Sequence, residues 1–367
     1  MTRIDVTSGD DLLHDDVNVM HAPMRTGITA HRRIVHRAVA RIAAAILVIT
    51  APDASLVAQP STTAPGTVVT DSLRSPSLGV WKRFVVWTPP GYARDAARRY
   101  PVLYALHGMW GRETDWIRHG QIATVLDSLV AAGMPAPIVV MPDGDDGWWT
   151  TWHGLVDLPA CRREPRDENA DTFCVPWAKY DDYVARDLVA RVDSTYRTDA
   201  RRAARGVLGL SMGGYGATTL ALRYPDVFAA AASHSGVLAP MLPADTVPWR
   251  GGERTRALAT WYGGRMWGAM RLAFGSDSVS WTARDPVRLL DRLRARGVAL
   301  PALWADVGRD DRYAPMTRAW RDALAARGVP LVYAEREGGH AWSQWRTAIT
   351  TSLPWMMAQL APPSAGR

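Results

Sequence analysis

Cysteine is nearly absent from this chain of 367 residues, with Cys161 and Cys174 its only two. That excludes a multi-disulfide scaffold. Without a neighbouring histidine pair, two cysteines also give too few ligands for a structural metal site. Lysine is as scarce: Lys82 and Lys179 are the only two, so arginine carries the formal net charge of +7. The arginines are scattered and often sit beside acids, as at Arg162, Arg163, Arg201, Arg202, Arg292 and Arg294. A nucleic-acid binder would gather them on one helix or stripe, so no nucleic-acid partner is expected. No apolar run is long enough to span a bilayer, and no internal repeat is visible. The remaining composition, 47% hydrophobic and 22% charged, is ordinary for a globular protein with a sizeable core.

What is present at the N-terminus is ordered in a telling way. Arg32, Arg33, Arg37 and Arg41 precede an apolar run over residues 42–51, and small residues follow through Ala54 and Ala58. Basic, apolar, small is the order of a secretory signal. The polar stretch ahead of Arg32 is long for a signal, which suggests a start at Met20 or Met24. Residues 1–58 are thus expected to be a leader. The protein is then secreted or periplasmic, with no stable membrane insertion once the leader is cleaved. In an oxidising compartment Cys161 and Cys174 are expected to close a disulfide across a polar loop. Residues 59–75, rich in Ser, Thr, Pro and Gly, read as a linker.

From about residue 78, short apolar runs alternate with helical stretches. The runs at 82–88, 101–106, 138–141, 206–210, 229–234, 302–307 and 331–334 are expected strands. Most are continuously apolar, as strands covered on both faces are. Residues 181–195 have helical spacing, with Val184, Leu188 and Val192 four apart. Residues 316–327 and 347–360 read as later helices. The expectation is an α/β fold, a mainly parallel sheet with helices on both faces, forming one catalytic domain over residues 76–362.

The most informative segment is Gly209-Leu210-Ser211-Met212-Gly213, set between an apolar strand and an Ala/Thr/Leu-rich helix at 217–223. A serine on a sharp strand-to-helix turn needs glycines two before and two after it for room. The following helix also points its free N–H groups at the site. Ser211 is the candidate nucleophile. A bare Gly-x-Ser-x-Gly is weak by itself; the strand before it, Gly214 and the helix after it supply the weight.

A serine hydroxyl needs a base, and the base needs an orienting acid. In this kind of fold they follow in the order Ser, acid, His. Of nine histidines only His234 and His340 lie after Ser211. His234 falls at a strand end and reads as a packed residue. His340, in the glycine-flanked Glu337-Gly338-Gly339-His340-Ala341-Trp342, is the candidate base. The acid should follow the strand at 302–307, where Asp310 and Asp311 compete and Asp311 is preferred. Oxyanion donors are expected at the backbone N–H of Met212 and, after the strand ending in Leu106-His107-Gly108, at Met109. Among seventeen tryptophans, Trp110, Trp116 and Trp177 lie near the expected mouth. Trp148, Trp149 and Trp152 occupy a Gly/Asp-rich loop after a strand. Trp110, Trp148, Trp149 and Trp152 are the candidate substrate-binding residues.

These residues resemble the esterase D family of α/β hydrolases, which includes feruloyl esterases, S-formylglutathione hydrolases, enterobactin-type esterases and antigen 85 mycolyltransferases. The likeness covers residues 78–360. It rests on Val86-Trp87-Thr88-Pro89-Pro90-Gly91-Tyr92, Leu103 to Gly108, Gly209 to Gly214, Ala273-Phe274-Gly275 with Asp285-Pro286, and Gly338 to Trp342. It implies an α/β-hydrolase fold, with Ser211, Asp311 and His340 in the triad positions and Met109 and Met212 as oxyanion donors. The segment between Cys161 and Cys174 departs from the family. The function so implied is a secreted serine carboxylesterase acting on a small-molecule or carbohydrate ester, such as a feruloyl or acetyl ester, with no cofactor or metal. The competing readings are an acyltransferase passing the acyl group to a sugar hydroxyl, and a non-catalytic binding protein on the same fold.

Overall fold

The computed structural model describes residues 64–361 except 166 and 167. The expected leader and the start of the linker lie outside the described residues. Among the described residues there are eight strands: β1 (Thr67–Arg74), β2 (Trp81–Thr88), β3 (Val102–Leu106), β4 (Ile138–Pro142), β5 (Arg205–Leu210), β6 (Ala230–His234), β7 (Ala302–Gly308) and β8 (Val332–Arg336). They form one sheet in the order β1-β2-β4-β3-β5-β6-β7-β8. β2 runs antiparallel to both neighbours, while β4 through β8 are mutually parallel. The seven expected strands all appear, within two residues at each end.

The linker expectation fails over residues 67–74. Thr67–Arg74 pairs with β2 along its whole length. β1 is an edge strand with a solvent face, and Val68 and Val69 remain exposed. Such a strand needs no continuous apolar run, so a Ser/Thr-rich segment can supply it while looking like a linker.

Side chains of the central strands alternate between two cores, one on each face of the sheet. From β3, Val102, Tyr104 and Leu106 pack into one cluster, and Leu103 and Ala105 into the other. This alternation follows from the two-residue period of a strand, and burying both faces requires the apolar runs seen in the sequence. The first cluster is covered by the helices Met212–Arg223 and Pro286–Ala295. The C-terminal helix Trp342–Gln359 covers the second with Ile349, Leu353 and Met356. The helix expected over 181–195 is present, but its middle, Tyr183–Leu188, widens into a π-helical stretch. Cys161 and Cys174 are bonded, with Sγ–Sγ at 2.05 Å, and tie together two short helical turns. Among the described residues no helix is long and apolar enough to cross a membrane.

The carboxyl ends of the parallel strands all face one side of the sheet. Ser211 follows β5, Ser235 follows β6, Asp311 lies beyond β7 and His340 beyond β8. Four consecutive strands therefore deliver polar side chains to one edge.

Candidate active site

Ser211 sits between β5 and the helix Met212–Arg223 with φ 53° and ψ −119°. This conformation is costly for a non-glycine residue and needs its surroundings to enforce it. They do so by close packing. A Cβ on Gly209 would fall 2.3 Å from the Gly213 carbonyl oxygen, and a Cβ on Gly213 would fall 2.3 Å from that of Leu106. The helix start is thus pressed against the end of β3, and only glycine fits at either place. The Ser211 N–H donates to the His234 carbonyl at 2.9 Å, pinning the turn to β6.

His340 Nδ1 lies 2.8 Å from Asp311 Oδ2. The Asp311 side chain is fully buried and that of His340 is 28% exposed. Burial pushes the Asp311 carboxyl up. The hydrogen bond and charge of His340, the Tyr313 N–H and the Ser235 hydroxyl outweigh burial and hold it below the usual carboxylate value. An ionised Asp311 accepts the Nδ1 proton, which leaves Nε2 as the imidazole's free basic nitrogen. Asp310 is exposed, and its N–H is taken by the Gly338 carbonyl. The imidazole is held between two rings, Tyr313 and Trp345, each with its centroid 4.9 Å away.

Met109, on the loop after β3, and Met212, the first residue of the helix after Ser211, flank the serine, and among the described residues neither backbone N–H is donated to a protein acceptor. The loop carrying Met109 is braced from behind. His107 Nδ1 lies 2.7 Å from the Gly108 carbonyl oxygen. Its Nε2 accepts the Gly144 N–H at 2.9 Å. That acceptor role assigns the proton to Nδ1. In a planar trans peptide the N–H points opposite to the C=O, so anchoring the Gly108 oxygen aims the Met109 N–H away from the imidazole. Gly144 is held in turn by a buried ionic cluster. Lys82 Nζ lies 3.0 Å from Asp143 and 2.5 Å from Asp145, and the Tyr180 hydroxyl donates to Asp145. Asp146 accepts the Trp110 N–H at 2.7 Å and pairs with Arg265.

Ser211 and His340 line one cavity of about 470 Å³, together with Met109, Trp110, His119, Met266, Arg312, Trp342 and Trp345. Among the described residues no hydrogen bond joins Ser211 Oγ to His340. Larger hollows of about 750 and 820 Å³ lie beside Trp81 and Tyr92. Neither lining includes a histidine, whereas the smaller cavity brings Ser211 and His340 together.

The aromatic rim expected from the loop after β4 is corrected here. Trp148 and Trp149 are fully buried. Trp148 packs edge-on against Tyr215 and Phe274. The Trp149 indole donates to the His107 carbonyl and fills the space left by Gly144 and Gly216. Trp152 donates to Gly147 and packs on Tyr180. All three fold back under the loop, where these contacts hold them. Trp116 is buried as well, and Trp177 does not line the cavity. Trp110 does remain at the mouth, 58% exposed. The indoles that join it are Trp342 and Trp345, from the first turn of the C-terminal helix. Their position directly after His340 was the available signal.

His234, set aside as a packed strand residue, is fully buried and bonded to Asp306 at 2.8 Å. It is a second His–Asp pair with no access to the cavity. Among the described residues no cluster of potential ligands could hold a metal ion.

A mostly parallel sheet, a positive-φ serine on the turn after β5 and an Asp–His pair beyond β7 and β8 define an α/β hydrolase. Residues 75–356 match the family model described as Putative esterase, and the chain belongs to that family. It is 30% identical to esterase Rv1288 of Mycobacterium tuberculosis over 297 residues, covering 76% of this chain and 58% of that protein. The chain thus spans less than two thirds of that relative's length. It is 26% identical to an acetyl esterase of Caldicellulosiruptor saccharolyticus over 255 residues, 69% of this chain and 82% of that one. A solved ferulic acid esterase has the same fold, with a TM-score of 0.55 and 27% identity over 81% of this chain and 99% of its own.

Proposed function

We propose that this protein is an exported serine carboxylesterase that works through an acyl-enzyme on Ser211. The observation that carries the reading is that His340, bonded to the buried Asp311 at 2.8 Å, lines the same cavity as Ser211. His340 Nε2 takes the Ser211 proton as Oγ attacks the ester carbonyl, a bond that closes as substrate orders the site. The Met109 and Met212 N–H groups receive the developing oxyanion. His340 then protonates the leaving alcohol, the carbonyl re-forms, and the acyl group stays on Ser211. Water then attacks the acyl carbonyl as it gives its proton to His340; the bond to Ser211 Oγ breaks, His340 returns the proton to Oγ, and the acid leaves. Asp311 keeps the imidazole in the required tautomer and balances its charge while it is protonated.

An ester of a carbohydrate is the favoured substrate. The flat indoles of Trp110 and Trp342 offer faces for a sugar or an aromatic acyl group, and relatives named for acetyl and ferulic acid esters fall in the same family. The catalytic body is assigned to residues 67–361, following a cleaved leader. A fluorophosphonate should label Ser211, located by peptide mass spectrometry, and labelling should vanish in His340→Ala. A folded protein that takes no label would overturn the reading. Acetylated and feruloylated sugars, assayed with and without a sugar acceptor, then separate hydrolysis from acyl transfer. The N-terminal sequence of protein recovered from the periplasm or medium tests export: an intact cytoplasmic chain contradicts it.

A further inference from the structure

Arg312 follows Asp311 in the loop beyond β7 and lines the cavity that contains Ser211 and His340. It is an exposed residue, yet its guanidinium has a defined seat. Cζ lies over the Trp261 ring at 4.4 Å from the centroid, and 5.4 Å from that of Tyr313. Arg312 Nη2 donates to the Trp261 carbonyl at 3.1 Å. Trp261 is itself wedged edge-on between Tyr262 and Tyr313. Tyr313 packs against the His340 imidazole. A single ring therefore separates the guanidinium from the base.

What this cation lacks is a counter-charge. The two other arginines near Trp110 are each matched with an acid, Arg112 with Glu168 at 3.6 Å and Arg265 with Asp146 at 3.3 Å. Among the described residues Arg312 forms no ion pair, and its one hydrogen bond is to a carbonyl. A guanidinium carries five N–H donors in a planar fork. Stacking spends its face on the rings and leaves the edge for a planar anion such as a carboxylate. Because the group is already seated, little further ordering is needed when a ligand arrives. The carboxylate that lines the same cavity, Asp115, accepts the Arg112 N–H at 3.2 Å. It comes from the turn beyond β3, whereas Arg312 comes from beyond β7, and these strands lie on opposite sides of β5. The β7 side is the one that offers a free positive charge.

We infer that Arg312 is a specificity-determining residue: it receives a carboxylate carried by the ester substrate, so the preferred substrates are anionic esters. The inference rests on the hydrolase reading proposed above and narrows its substrate class.

The test uses two matched pairs of esters on the full-length protein. The para-nitrophenyl monoester of adipate against para-nitrophenyl hexanoate places the charge on the acyl side. Meta-acetoxybenzoate against meta-acetoxybenzamide places it on the alcohol side. Each kcat/KM is divided by the rate of alkaline hydrolysis of the same ester, to remove intrinsic reactivity. Wild type should favour the anionic member of at least one pair by about 10-fold, the scale of one charge-assisted bond. The pair that shows it tells which side of the ester carries the anion. The preference should shrink as sodium chloride is raised, since the site is exposed. Arg312→Gln should bring the ratio to one or below. Arg312→Lys keeps the charge without the planar fork and should retain part of it. The ratio is taken within each protein, so a general loss of activity or of folded protein cancels. A wild-type ratio near one in both pairs, or a preference that survives Arg312→Gln, would overturn the inference and leave Arg312 as a fastening for Trp261. In that case hydrolysis of the neutral esters and labelling of Ser211 would still uphold the hydrolase reading. A wild-type protein that hydrolyses none of the four esters and takes no label at Ser211 would overturn both.

Discussion

Gly144 donates its backbone N–H to His107 Nε2 at 2.9 Å, and the opposite nitrogen of the same ring holds the Gly108 carbonyl at 2.7 Å. One imidazole therefore ties the loop after β4 to the loop after β3. It does so beside the peptide whose N–H is assigned to the oxyanion. His107→Phe keeps the ring volume and loses both bonds. We expect kcat to fall by up to ~100-fold, the scale of losing one oxyanion donor, with KM little changed. Steady-state kinetics on an activated ester will check this. A rise in KM at constant kcat would assign His107 to substrate binding instead.

The buried cluster behind that loop predicts a large stability effect. Burial works against a charged Lys82, yet Asp143 and Asp145 outweigh it and hold the ammonium protonated. Lys82→Met strands two carboxylates out of water, at an expected cost of about 3–5 kcal/mol in a urea melt at neutral pH. Burial already pushes Asp145 up, so protonation can relieve the variant. Its deficit should shrink as the pH falls. A deficit independent of pH would point to lost packing rather than stranded charge.

Ser211→Ala and His340→Ala should each remove several orders of magnitude from kcat, and the double variant should be no worse than either, because the pair acts as a unit. Asp311→Asn should cost up to ~10⁴-fold by leaving the imidazole in the wrong tautomer. Asp310→Asn, on an exposed side chain, should cost almost nothing. Near-equal losses for the two asparagine variants would sink the assignment of the acid.

Asp311 also predicts how stability responds to acid. Its native carboxyl lies below the ordinary value, so at low pH the unfolded chain binds the proton more readily than the native one. The resulting stabilisation is complete above about pH 4 and is lost as the pH falls through the lowered native value. The stability gap between wild type and Asp311→Asn should therefore narrow only in that acid window. Thermal melts across the acid range will show it, and a gap that stays constant there would remove the electrostatic account.

The strands from β3 to β7 were legible because burial on both faces demands continuous apolar runs. The turn at Ser211 was legible because Gly209 and Gly213 are the only residues its close contacts tolerate. β1 was not, since an edge strand with a wet face carries a linker's composition. The fate of the tryptophans was not legible either. Trp148 and Trp149 pack against Tyr215, Phe274, His107 and two glycines brought from other parts of the chain; loop composition gives no sign of that. Trp342 and Trp345 reach the cavity because the helix begins directly after His340.

By itself the sequence determined the fold class and the turn that carries Ser211, and it singled out His340 as the base of the proposed mechanism, since each depends on local spacing: apolar runs, flanking glycines and chain order. The partnership of Asp311 rather than Asp310 with His340 was decided by the tertiary structure. So were the bracing of the Met109 loop by His107 and the packing of the His340 ring between Tyr313 and Trp345. Those arrangements join residues far apart in the chain, and their geometry exists only once the strands carrying them are packed side by side.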